Sequence, residues 1–146
     1  PGAMIERRPP GGAGVHVIFE NGWTVSVQWG PYHYGDNYLR PVPVEPPQEL
    51  LDGLTSTTAE CAVWHEQIER PRLLPWEHGD TVGGWCSFAA VQRLLDLAAA
   101  GRVPVPIPAP DRLAQVDVGS VRPRSLDEVA AVVREWWGAR EKGQQP

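Results

Sequence analysis

The residues of this 146-residue chain whose types could support metal or nucleophilic chemistry are four histidines and two cysteines, and their spacing decides how far that goes. A zinc site wants imidazoles set with cysteine or carboxylate at close, fixed intervals. His16, His33, His65 and His78 are scattered instead. His65-Glu66-Gln67-Ile68-Glu69 has the outline of an H-E-x-x-H helix, but glutamate stands where the second imidazole is needed. Only a chance convergence of His65, His78, Asp80 and Cys86 from neighbouring strands would bring ligands together, so neither a metal nor another cofactor is expected. Cys61 and Cys86 lack C-x-x-C spacing and read as two free, buried thiols rather than a disulfide.

Nucleophilic catalysis has little more to stand on. There is no G-x-S-x-G elbow. Ser87 sits where a helix cap is needed, which accounts for it. Cys86 beside that helix start would have a lowered pKa, and with His65 or His78 it would make a small hydrolase, the enzyme alternative. Asp127-Glu128 falls in the first turn of a helix and complements its dipole. No catalytic residue is assigned.

Binding chemistry is better represented. Residues 31–38, PYHYGDNY, offer Tyr32, Tyr34 and Tyr38 as flat faces and His33, Asp36 and Asn37 as polar groups, directly after Trp29. Arg40, Arg70 and Arg72 could face anionic groups. Further on, GDTVGGW at 79–85 leads into a helix start, whose free backbone N–H groups attract anions. The alternative for Gly83-Gly84 is a bulge or a close backbone approach. The candidate binding set is therefore Trp29, Tyr32, Tyr34, Asn37, Arg40, Gly83 and Gly84, around a small anionic, nucleotide-like ligand.

The elements that must position these residues begin with a hairpin. Val15, Val17 and Phe19 alternate with His16, Ile18 and Glu20, Asn21-Gly22 supplies the two positive-φ positions of a two-residue type I′ turn, and Trp23, Val25, Val27 and Trp29 alternate with Thr24, Ser26 and Gln28. Residues 1–14 read as a flexible arm; within it, Pro1 to Ala3 could be a cloning remnant. Residues 31–57 carry too many prolines for a central strand and read as an irregular loop. Strands are expected at 58–64 and 81–86, and a helix capped by Ser87 runs to about Ala100, with Gly101 as its C-cap. Residues 103–110, VPVPIPAP, favour polyproline II and form a strap. Ser125 to Glu128 has capping-box form, ahead of a second amphipathic helix ending near Gly143. Strands first and helices after make a single α+β domain over residues 15–142, an antiparallel sheet covered on one face by helices. The other face, with Thr24, Ser26 and Gln28, is left for solvent or a partner.

Composition sets the outer bounds. With 42% hydrophobic residues and seven tryptophans the chain can bury a core, while its net charge of −5 gives no electrostatic footprint for nucleic acid. No apolar run is long enough for a membrane span, and the first residues lack a secretory apolar region, so a cytoplasmic protein is expected.

The pieces at 19–30 (F-x-N-G-W-T-V-S-V-Q-W-G), 35–38 (GDNY), 58–64 (TAECAVW) and 79–87 (GDTVGGWCS) resemble a group of short phage and prophage proteins, especially of actinobacteria. The resemblance spans Val15 to about Gly101 and carries no functional residue over. It implies a small accessory protein of a mobile element that acts by binding, for example in counter-defence. The resulting expectation is a non-enzymatic, self-associating binding protein, meeting its own copies through a sheet edge or the Trp136-Trp137 helix. It would sequester a small anionic ligand between protomers. The alternative is an inhibitor of a host protein that uses exposed aromatics.

Overall fold

The computed structural model of the chain describes residues 2–7, 12–69 and 73–143. Its frame is a five-stranded antiparallel sheet in which sequence order equals spatial order: β1 (Ala3–Arg7), β2 (Gly14–Phe19), β3 (Trp23–Gln28), β4 (Thr58–His65) and β5 (Gly83–Ser87). The β2–β3 hairpin does not close through the expected two-residue type I′ turn: Glu20, Asn21 and Gly22 all lie between the strands, the Gly22 N–H donates to the Phe19 carbonyl at 3.0 Å, and of Asn21 and Gly22 only the glycine takes a positive φ, 93°. Asn21 does more than turn the chain, since its Nδ2 donates to the Ala98 carbonyl at 2.9 Å and ties the hairpin to the end of the covering helix.

Register assigns the two faces. Val17 pairs with Val25, Val25 with Val63, and Val27 with Cys61, so the β-branched residues share one side and bury it. Against that side packs α2 (Phe88–Ala99), whose Ala90, Leu94, Leu97 and Ala98 are buried. Ser87 caps α2 by accepting from the Ala90 N–H. The helix α4 (Leu126–Glu141) starts at a full capping box, Ser125 with Glu128, and adds Val129 and Val133 to the same core. The strap at 103–110 buries Val103, Val105 and Ile107, bridges Trp76 through Ile107, and ends in the short α3 (Pro110–Leu113), with proline at its first position. This is the α+β arrangement expected, with helices on one face of an antiparallel sheet.

Several expectations are corrected. The flexible arm is a strand over Ala3–Arg7, paired with β2 from Ala3↔Phe19 to Arg7↔Val15. The loop at 31–57 contains α1 (Gln48–Asp52), whose Leu51 is fully buried. Thr24, Ser26 and Gln28 do not lie open on the second face. His16 and Trp64, from strands on either side of β3, meet edge to face at 4.9 Å, and all three polar residues are buried. Trp136 is buried and meets Trp137 edge to face, and the Arg140 guanidinium stacks 4.6 Å from the Trp136 ring, so this pair is engaged within the chain. Arg70 and Arg72 lie outside the described residues. Among the described residues no helix is long and apolar enough to cross a membrane.

Candidate functional site

The site grows from one irregularity in the sheet. Ala59 pairs with Cys86 and Cys61 with Gly83, so Glu60 of β4 faces two residues of β5, Gly84 and Trp85. This is a β-bulge, a device that re-aims a side chain and frees backbone groups from the ladder. Trp85 takes a φ of 50°, in the left-handed region that bulky side chains avoid. Its freed N–H donates to the Tyr34 carbonyl at 2.9 Å, and the Tyr34 N–H in turn donates to Glu60 Oε2 at 2.8 Å. The 31–40 loop is thereby docked on the bulge through the backbone of Tyr34.

Glycine makes this approach possible. A Cβ on Gly84 would stand 2.7 Å from the Tyr34 Cβ, and one on Gly83 would stand 2.4 Å from the Trp76 ring. Both glycines are positions of close contact, and neither opens α2: Trp85, Cys86 and the capping Ser87 intervene.

Hydrogen bonds fix the loop from the other side. The Asp36 N–H donates to Thr58 Oγ1, while its carboxylate accepts from the Thr57 N–H, the Thr57 hydroxyl and the Thr58 hydroxyl. Those bonds, led by the Thr57 hydroxyl, hold the Asp36 carboxyl below its ordinary pKa. Asn37 is buried; its Nδ2 donates to the Trp29 and Thr55 carbonyls and its Oδ1 accepts from Arg40. Asn37 and Arg40, whose side chains suit a ligand, thus close the loop on itself.

The product is an aromatic platform. The Tyr34 and Trp85 rings stack with centroids 5.6 Å apart, and Tyr38 meets both edge-on, at 4.9 Å from Tyr34 and 6.1 Å from Trp85. Trp85 remains 53% exposed. Beside it is an open groove of about 430 Å³ lined by Tyr34, Gly84, Trp85, Val82, Ala109, Pro110, His78 and Asp80. The indole N–H of Trp85 and the hydroxyls of Tyr34 and Tyr38 make no hydrogen bond to a described residue. Among the described residues no lysine or arginine lines the groove.

A larger recess of about 560 Å³ lies between the end of β3, α2 and residues 54–58, and Trp29 is part of its wall. Most of its polar side chains are already engaged: Trp29 Nε1 donates to the Leu54 carbonyl, the Ser56 hydroxyl to the Thr58 carbonyl, and the Thr57 and Thr58 hydroxyls to Asp36. The recess is an apolar hollow with few groups to orient a ligand.

The expected binding residues are therefore divided. Tyr34 and Gly84 meet at the platform, Trp29 lines the recess, Asn37 and Arg40 brace the loop, Gly83 packs on Trp76, and Tyr32 stands exposed. Trp85 and Asp80 complete the groove without having been singled out as binding residues. The bulge glycines were the available signal for Trp85, since a bulge redirects the residue beside it.

The thiols lie in the core. Cys61 and Cys86 are free and fully buried, Cys86 donates to the Gly83 carbonyl, and Cys86 together with burial pushes the Cys61 thiol up. His65 bonds the Asn21 carbonyl and the Gln67 N–H, and His78 bonds the Val82 carbonyl. Among the described residues no group of three metal-ligating side chains comes together.

No family model matches the chain, and no curated protein or solved structure matches it either.

Proposed function

We propose that this protein is a binding module that captures a proline-rich, extended peptide segment of a partner protein on the Tyr34–Trp85 platform. The observation that carries the reading is Trp85: a large aromatic, held at a strained backbone angle, stacked on Tyr34 and left half in water. Strain of this kind costs roughly 1–3 kcal/mol and tends to sit where a side chain is being presented. The groove suits polyproline II on two counts. Its walls are apolar and aromatic, matching the ridged surface of such a helix. The unbonded donors of the platform, the Trp85 indole and the Tyr34 and Tyr38 hydroxyls, suit a backbone whose carbonyls have no internal hydrogen bonds.

An anionic ligand finds less support. Among the described residues the groove has no lysine or arginine, Arg40 is bonded to Asn37, and the glycine pair is packed rather than open. The reading therefore moves from sequestration of a small anion to the protein-directed alternative, a mode of action that also suits an accessory binding protein of a mobile element.

The test is selection from a displayed random-peptide library by the wild-type protein and by Trp85→Gly. Proline-rich sequences enriched by the wild type and lost with the variant support the module. Enrichment of the same sequences by both proteins, or no proline-rich enrichment by the wild type, overturns it.

A further inference from the structure

We infer that the groove selects proline-rich segments that carry a basic residue, and that Asp80 is the residue that reads it; this rests on the platform reading above. The argument is one of charge complementarity. Asp80 is exposed in the groove and is the one carboxylate among the described residues that line it. Its Oδ1 accepts from the Thr81 N–H at 2.7 Å, and its second oxygen has no bond to a described residue. The charges of Glu77, Arg112 and Arg140 on neighbouring segments are taken up locally. Glu77 accepts from the Ala109 N–H and lies 3.4 Å from Arg112, while Arg140 donates to the Gly79 carbonyl and covers Trp136. Among the described residues no cation lines the groove or pairs with Asp80.

The aromatic wall points the same way. An arginine or lysine lying between the Trp85 face and Asp80 would gain a cation–π contact on one side and a charge-assisted hydrogen bond on the other. A glutamate at that position would face a like charge and the negative face of the ring. At longer range the net charge of −5 steers cationic segments toward the surface and disfavours acidic ones. Prolines on the platform would thus supply affinity, and the basic residue would fix direction and register along the groove.

The experiment uses the full chain and three sets of synthetic peptides: plain oligoproline, oligoproline with one arginine walked through its positions, and the same with glutamate. The wild type should bind the best arginine peptide about three- to fivefold more tightly than plain oligoproline, the size of an exposed charge pair, and the glutamate set more weakly. Added salt should shrink that gap. Asp80→Asn keeps an oxygen for the Thr81 N–H, so it should fold as the wild type does and bind the arginine set no more tightly than plain oligoproline. Asp80→Lys should turn the preference toward glutamate. If the wild type binds oligoproline without distinguishing the sets, or if Asp80→Asn keeps the preference, the role of Asp80 is overturned while the platform stands. If no peptide set binds the wild type, or Trp85→Gly binds all sets as the wild type does, the platform reading falls and this inference with it.

Discussion

The Cβ that Gly84 lacks would stand 2.7 Å from the Cβ of Tyr34, so the platform exists because β5 has no side chain where the loop crosses it. Gly84→Ala should cost about 1–3 kcal/mol by overpacking and release the loop from the bulge. Tyr34→Gly removes the opposing atom and should recover part of that loss. A double-mutant cycle in denaturant checks this: coupling between the two positions is expected, and strict additivity would place the strain elsewhere.

Trp85 should show opposed effects on stability and binding. Glycine at a φ of 50° removes left-handed strain of roughly 1–2 kcal/mol, about offsetting the lost stacking on Tyr34, worth roughly 0.5–1.5 kcal/mol. Trp85→Gly should therefore unfold near the wild-type midpoint, whereas Trp85→Ala, which loses the stacking and keeps the strain, should be less stable than Trp85→Gly by about 1 kcal/mol. Equal midpoints for the two variants would contradict the strain.

The parts of this fold that are written locally were legible in the sequence. Asn21-Gly22 between alternating strands, Ser87 and Ser125 as caps, and the glycine pair as a bulge each depend on a few adjacent residues. What escaped depends on distant pairing. Ala3–Arg7 has little apolar alternation and precedes a stretch of prolines and glycines, so only the β2 edge reveals it as a strand. α1 has five residues, too few to show a helical period. Asn37 and Arg40 have ligand-like chemistry, yet whether such groups face a ligand or their own backbone is decided by Trp29 and Thr55, the first eight residues upstream of Asn37. Trp85 belongs to the site because Tyr34, fifty-one residues earlier, receives its N–H.

Asp36 should make the loop sensitive to acid. Its carboxyl titrates below the ordinary range in the folded chain, so its contribution is present above the unfolded pKa, near 3.8, and is lost as pH falls through the lower folded value. Asp36→Asn should be less stable than the wild type at neutral pH, with the gap closing in strong acid. Amide exchange over residues 33–40 should quicken in the variant at neutral pH. A gap that stays constant down to low pH would contradict the clamp.

Cys61 and Cys86 should be silent in the native protein. Both are fully buried and the Cys61 thiol is pushed up, so a thiol reagent should titrate neither at neutral pH and both after unfolding in denaturant. Rapid native reaction of Cys86 would revive the hydrolase alternative.

The central claim, that the platform rather than the apolar recess is the binding surface, is tested most directly by following the tryptophan indole N–H resonances while oligoproline is added. Trp85 reports on the platform and Trp29 on the recess. A saturable shift of Trp85 with Trp29 unmoved is the predicted result. Movement of Trp29 alone, or no movement of Trp85 at saturating peptide, would contradict it.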